Sequence, residues 1–154
     1  MVARLTREEM IRVVAAILEH RGRLLICQRR RGDTFALQWE FPGGKARRSE
    51  SARAALAREL REELGIEACL GRELFRARHR YRELADGLEI RFFAAMRPFP
   101  APRNRVFEQI VWARRSDLAR YDFLPADRAL VERLIRGEWR GDWTRGKESA
   151  TYSR

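Results

Sequence analysis

Lysine is almost missing from this chain: Lys45 and Lys147 are the only two, although lysine and arginine together number 33. Against 22 acidic residues this leaves a formal net charge of +11, carried almost entirely by arginine. Such a charge favours encounters with polyanions, whether nucleotides, RNA or anionic membrane. An arginine skew is as easily the product of a GC-rich genome, so a nucleic-acid partner is the less favoured reading. Long apolar runs are missing too. No stretch reaches the ~18 residues expected of a membrane-spanning helix, and the composition reads as a soluble globular protein with no membrane partner. Val13 to Leu18 is too short for the apolar region of a signal peptide and follows Glu8 and Glu9, so residence in the cytoplasm is the expectation. Cysteine is scarce. Cys27 and Cys69 lack metal-ligand spacing and lie in apolar surroundings, which reads as two buried, reduced thiols.

At 154 residues one domain is expected, large enough to bury about two-thirds of its unfolded surface. Its boundaries are set at 1–137, with 138–154 a polar, glycine-containing mobile tail tethered by Trp139 or Trp143. Ile11 to Leu18 and Arg23 to Gln28 are apolar runs separated by a turn-like Glu19-His20-Arg21-Gly22, which reads as a hairpin or neighbouring strands. A loop follows to Gln38. Trp39, Glu40 and Phe41 form a short strand halted at Pro42-Gly43-Gly44, where glycine permits backbone geometry closed to other residues. Strands are expected over Ile66 to Arg78, Leu88 to Met96 and Val106 to Ala113, with Pro98, Pro100 and Pro102 in an irregular loop between the last two. Ser116 to Tyr121 is a turn or short helix. Pro125 sits near the start of a helix with an apolar stripe of Leu130, Val131, Leu134 and Ile135, ended by Gly137. No internal repeat is present. This order suits α/β or α+β packing.

The most informative segment runs from Gly44 to Ile66. Ser51 is a plausible N-cap and Gly65 the expected C-terminal stop of a helix over Ala52 to Leu64. On that helix Glu59, Glu62 and Glu63 fall within an arc of ~100°. Like charges three and four apart cost ~0.2–0.5 kcal/mol per pair, so something must compensate. Leu56, Ala57, Leu60 and Leu64 form the adjoining stripe, which puts the carboxylates at the edge of the core. Hard oxygen ligands there suit Mg²⁺, which takes one or two carboxylates and leaves positions for substrate phosphates. The alternative is a solvated face on which Arg58 pairs with Glu62 and other arginines neutralise the rest.

Gly44, Glu50, Arg58, Glu59, Leu60, Glu62, Glu63, Gly65 and Ile66 together resemble the signature of the Nudix hydrolases, G-x5-E-x7-R-E-U-x-E-E-x-G-U with U aliphatic, and every specified position matches. The resemblance implies an α/β/α sandwich around a mixed sheet, and hydrolysis of a nucleoside diphosphate linked to a further group, with Mg²⁺ or, in its place, Mn²⁺. It implies Gly44, Glu59, Glu62 and Glu63 as the metal site and Arg58 as a residue that orients a carboxylate. Glu59 is the candidate to activate water. Glu108 is a candidate further ligand or base, its alternative being an exposed strand-start glutamate. Glu50 supports the site, ligates a cation or simply favours the helix N-terminus.

Trp39 to Lys45 and Phe123 to Asp127 are similar to the MutT and CTP pyrophosphohydrolase branch, which converts nucleoside triphosphates to monophosphate and pyrophosphate. That similarity places Glu40, Phe41 and Asp127 with the substrate. Arg30 stands where the branch has a phosphate-binding arginine, the alternative being a solvated member of an arginine run. Asp127 stands where the 8-oxo-dGTP hydrolase has asparagine. An ionised aspartate only accepts hydrogen bonds, so strict reading of 8-oxoguanine requires its carboxyl to be protonated; the alternative is a cap on the last helix. His79 and Tyr81 either line the pocket or alternate along a strand. The expectation is a Mg²⁺-dependent triphosphate pyrophosphohydrolase, monomer or homodimer, acting on modified or oxidised nucleotides. Its rivals are a Nudix enzyme of nucleotide sugars or dinucleotide polyphosphates, and a non-catalytic nucleotide- or RNA-binding module.

Overall fold

The computed structural model describes residues 10–96 and 99–139. β-Branched and aliphatic runs supply its central layer. Strand β1 (Ile11–Ile17) pairs in parallel with β7 (Leu88–Met96) and antiparallel with β5 (Gly43–Lys45), while β6 (Cys69–His79) adds antiparallel to β7. The sheet is therefore mixed, in the order β5-β1-β7-β6. A second, antiparallel sheet joins β2 (Glu19–His20), β3 (Arg23–Gln28) and β4 (Trp39–Glu40), with β8 (Gln109–Arg114) on the other side of β3.

Period-two alternation explains how the layers stack. Val14 and Ala16 of β1, with Leu25 and Cys27 of β3, pack against Ala52, Leu56, Leu60 and Leu64 of helix α1 (Ala52–Leu64). Ala15, Ile17, Leu24 and Ile26 face the other way, onto Leu130, Val131 and Leu134 of helix α2 (Arg128–Ile135). Both sheets thus form one middle layer between two helices, an α/β/α sandwich.

Several boundaries differ from the sequence reading. The tight hairpin involves only Glu19–Leu24 and His20–Arg23 pairs; β1 and β3 belong to different sheets, because the chain changes sheet at buried Leu18. Gly43-Gly44 does not merely turn but adds a strand to β1. Strand β8 starts at Gln109 rather than Val106, since Asn104 folds the preceding loop by exchanging hydrogen bonds with the Phe107 backbone. A 3-10 turn, Pro125–Asp127, precedes α2. Cys27 is buried as expected, but Cys69, at the start of edge strand β6, is exposed. Glu138 and Trp139 are held against the body: Arg115 donates to the Glu138 carbonyl at 2.8 Å, and the Arg133 guanidinium lies 4.7 Å from the Trp139 ring centre. Pro98, Trp143 and the rest of the expected tail lie outside the described residues.

Candidate active site

Helix α1 is fixed at both ends by local chemistry. Ser51 Oγ accepts the Ala54 N–H at 3.1 Å, and Gly65 adopts φ 65°, a left-handed conformation that glycine reaches without a Cβ penalty. Between these caps the helix presents Arg58, Glu59, Glu62 and Glu63 to strand β5. Gly43 (φ +155°) passes so close to β1 that an added Cβ would strike the Val14 carbonyl. A Cβ at Gly44 would come within 2.5–2.7 Å of the Glu59 carboxylate. The two glycines therefore let main chain run directly beside the acidic cluster.

Arg58 organises this cluster. Its Nε and Nη2 donate to Glu50 at 2.8 Å each, Nη1 donates to Glu59 at 2.9 Å and Glu62 at 3.2 Å, and Nη2 also reaches the Lys45 carbonyl at 3.1 Å. Glu50 further accepts the Arg47 N–H at 2.8 Å. These contacts, the Arg58 hydrogen bonds first, lower the Glu50 carboxyl to about 2. Glu50 thus acts on the site by holding Arg58. Glu63 receives no guanidinium. It accepts the Gly43 N–H at 3.2 Å and shares a hydrogen bond with Glu59, and burial, with the nearby Glu59 and Glu40 carboxylates, pushes it up to about 9.

The donor set fits a hard divalent cation in part. Among the described residues no three acidic, histidine or cysteine side chains converge on one point. Glu62 turns to Arg58 and is half exposed, whereas Glu59 and Glu63 lie together beside Gly44 at the cleft wall. Two carboxylates with open space for phosphate oxygens is the arrangement Mg²⁺ accepts. Burial and charge repulsion, the two influences that raise the Glu63 carboxyl, are the ones an incoming cation would oppose.

A cavity of about 470 Å³ runs from these carboxylates across the sheet to the start of α2. One end is lined by Gly43, Gly44, Lys45, Glu59 and Glu63; the other by Phe35, Tyr81, Leu84, Leu124 and Asp127, with Glu40 between them, near enough to both Glu63 and Asp127 to raise their carboxyls. Glu40 and Phe41 both line it, the Phe41 ring stacking on Phe123 at 5.5 Å. Burial raises the Glu40 carboxyl, opposed by the Arg29 guanidinium 3.2 Å away. Asp127 stands at the N-cap of α2 yet makes no capping bond. It is 3% exposed, faces the Phe41 N–H, and burial raises its carboxyl well above the ordinary range, favouring the protonated acid. A protonated carboxyl donates and accepts, as an asparagine amide does. The protonated state that reading of 8-oxoguanine requires of Asp127 is the one burial favours.

Two expected residues are not brought in. Arg30 is exposed and off the cavity wall; Arg29, its neighbour, lines the cavity, donating to both Glu40 oxygens at 3.2 Å and to the Thr34 carbonyl at 2.7 Å. Strand alternation carried on from Leu25 and Cys27 points to Arg29, a signal the arginine run obscures. Glu108 is exposed, 3.8 Å from Arg31, and does not line the cavity. Tyr81 lines the cavity, with His79 against its ring at 4.3 Å.

Comparison with known proteins agrees with this geometry. A family model described as NUDIX domain matches residues 9–134. The chain is 41% identical over 129 residues to a CTP pyrophosphohydrolase of Escherichia coli K12, covering 82% of this chain and 93% of that protein. It is 33% identical over 129 residues to an 8-oxo-dGTP diphosphatase of Haemophilus influenzae, covering 83% and 93%. The solution structure of the E. coli ORF135 protein superposes with a TM-score of 0.74 at 34% identity, covering 87% of this chain and 96% of that one. Signature helix, sandwich and relatives converge, and the chain belongs to the Nudix family.

Proposed function

We propose that this protein is a Mg²⁺-dependent nucleoside triphosphate pyrophosphohydrolase, releasing monophosphate and pyrophosphate, with modified or oxidised nucleotides as substrates and the cytoplasm as its place of work. One observation carries the reading: a single cavity joins the Glu59–Glu63 pair at one end to an aromatic and acid-tipped pocket at the other. The first end suits a cation with phosphates, the second a base. The substrates named for the two relatives, CTP and 8-oxo-dGTP, support triphosphates over nucleotide sugars and dinucleotide polyphosphates.

Glu59 and Glu63, with Gly44 beside them and Glu62 within reach of Arg58, would hold the metal; Mn²⁺ can substitute. A cation held there would supply positive charge to phosphate oxygens that otherwise repel a water nucleophile. Arg58 holds Glu59 in place with a charge-assisted bond and is itself held by Glu50. Lys45 and Arg29 supply positive charge on the cavity wall. Glu63, once ionised, is the acceptor best sheltered from competing guanidinium groups, and joins Glu59 as a candidate to take the proton of water. Glu108 serves only if its loop moves on substrate binding. Phe41 stiffens the floor through Phe123 and Phe92 and offers its N–H to Asp127.

The test is a panel of canonical and modified nucleoside triphosphates, nucleotide sugars and dinucleotide polyphosphates with Mg²⁺, read by separating pyrophosphate from orthophosphate. Pyrophosphate release from triphosphates supports the reading. Turnover confined to the other classes, or salt-sensitive RNA binding without any turnover, overturns it.

A further inference from the structure

We propose that Tyr81 is a specificity-determining residue whose hydroxyl donates a hydrogen bond to an acceptor atom on the substrate's base. The inference rests on reading the cavity as a nucleotide site. Tyr81 comes from the connection between β6 and β7, is 6% exposed and lines the cavity alongside Glu40 and Asp127. Its hydroxyl oxygen accepts the buried Ala126 N–H at 2.9 Å. That bond occupies a lone pair and leaves the hydroxyl hydrogen free to turn. Among the described residues this hydrogen has no acceptor. A buried O–H without a partner is disfavoured, and buried tyrosine hydroxyls usually find one. The cavity is where a partner can enter.

Two aromatic neighbours pack against the ring, Phe35 at 4.6 Å and His79 at 4.3 Å between ring centres. Phe35 itself holds a left-handed φ of 58°, an unusual conformation for a bulky residue, in a loop that Arg29 ties down through the Thr34 carbonyl. The hydroxyl is thus a donor at a defined point. It also steadies the residue before Asp127, so the same oxygen anchors one wall and addresses the ligand. Burial keeps the phenol protonated.

With Asp127 and Glu40 as the other polar groups, the base end carries three hydrogen-bonding positions on a wall of Phe35, Leu84, Leu88 and Leu124. A few placed polar groups on an apolar lining set orientation and selectivity. The ligand class is a base with a carbonyl oxygen or bare ring nitrogen beside its N–H groups.

The experiment compares wild type with Tyr81→Phe on three triphosphates: the best base, an analogue of it without the acceptor atom, and a sugar triphosphate with hydrogen in place of the base. The expected result is a loss of about tenfold in kcat/KM for the best base, mostly in KM, with the other two unchanged. An equal loss on all three, or a loss shared by the analogue, assigns Tyr81 to scaffolding through Ala126 and overturns the inference; so does no loss. Wild type that hydrolyses none of them overturns the triphosphatase reading too. Should Tyr81→Phe fail to fold, wild type labelled at tyrosine 13Cζ replaces it, its resonances assigned with Tyr121→Phe and Tyr152→Phe. Nucleoside monophosphate should shift the Tyr81 signal while ribose 5-phosphate does not, and an unmoved signal overturns the inference.

Discussion

Arg58 meets Glu50 edge on, Nε to Oε2 and Nη2 to Oε1, both at 2.8 Å. The pair is a planar fork on a planar carboxylate, a geometry that an ammonium cannot copy. Glu50 lies eight residues before Arg58, ahead of the helix, so the contact locks the incoming loop to the face that carries Glu59. Arg58→Lys should therefore fail to rescue: turnover drops by about 10–100-fold, in the range found when a supporting partner of a metal ligand is lost. Glu50→Gln should behave similarly but more mildly. Because the Glu50 carboxyl is lowered to about 2, its contribution to stability is complete above the ordinary carboxylate range and fades as pH falls towards 2. Acid titration of the fold in wild type and Glu50→Gln checks this, the mutant being the less acid-sensitive.

Glu63 predicts the opposite slope. Its folded carboxyl is raised to about 9 in the metal-free protein, so the folded state keeps a proton that the unfolded chain sheds near 4.5. Metal-free stability should fall as pH rises across that window, and Glu63→Gln should flatten the fall. Mg²⁺ should reverse the sign for wild type, since it binds the ionised form. A cation at 100 times its Kd adds about 2.7 kcal/mol to a protein that binds it only when folded. Thermal melts with Mg²⁺ should therefore show a clear rise in Tm for wild type and little for Glu63→Gln, whose turnover falls by orders of magnitude. Chelation should abolish wild-type activity and added Mg²⁺ restore it. An equal Tm rise in both proteins would remove Glu63 from the metal site.

Asp127 carries the base-reading prediction. Its buried carboxyl holds a proton at pH values where a free aspartate has lost it, so it can donate to a carbonyl as well as accept. Asp127→Asn keeps both functions without needing the proton. The variant should retain base preference near neutrality, with turnover within about threefold of wild type, a change well under 1 kcal/mol. It should also be the more stable protein as pH rises, because the wild-type folded state binds the extra proton and loses stability with increasing pH. Asp127→Ala, lacking donor and acceptor, should lose discrimination between bases. Rates on paired substrates across pH distinguish the two: wild-type selectivity decays at high pH while the asparagine variant's holds.

What could be read from the sequence was whatever is decided locally. Ser51, the Leu56-Leu60-Leu64 stripe and Gly65 specify α1 through bonds and contacts within a few residues, and Glu59 and Glu63 inherit their direction from that helix. Features decided by distant neighbours were less legible. Arg29 and Arg30 are chemically identical, and the alternation that favours Arg29 gains its meaning from the pairing of Cys27 with Glu40, which lines the cavity. Glu62 looked equivalent to its neighbours on the helical wheel, but Arg58 draws it outward to a side-chain exposure of 54%. The raised Asp127 carboxyl depends on burial beside Phe41 and Tyr81, which arrive from segments distant in sequence. Cys69 looked buried by its apolar neighbours, and an edge strand left it in solvent.

The chain beyond α2 gives the last prediction. Glycine at 137 suggests a stop, and it does end α2, with φ 83°. The chain nevertheless stays against the body at Glu138 and Trp139. Arg115, only 5% exposed, donates at 2.8 Å to the Glu138 carbonyl and at 3.2 Å to that of Leu134, while the Glu19 carboxylate accepts from its other nitrogen at 3.0 Å. Trp139 packs on the core beneath Arg133. Ending the chain at Gly137 strips a hydrogen bond from a buried guanidinium and removes a cation–π contact, together about 2–4 kcal/mol. A protein ending at Trp139 keeps both. Denaturant melts of the two should differ by that amount, with the active-site cavity, built from other elements, leaving kcat per folded molecule equal. Equal stabilities would mean that Glu138 and Trp139 contribute nothing to the fold.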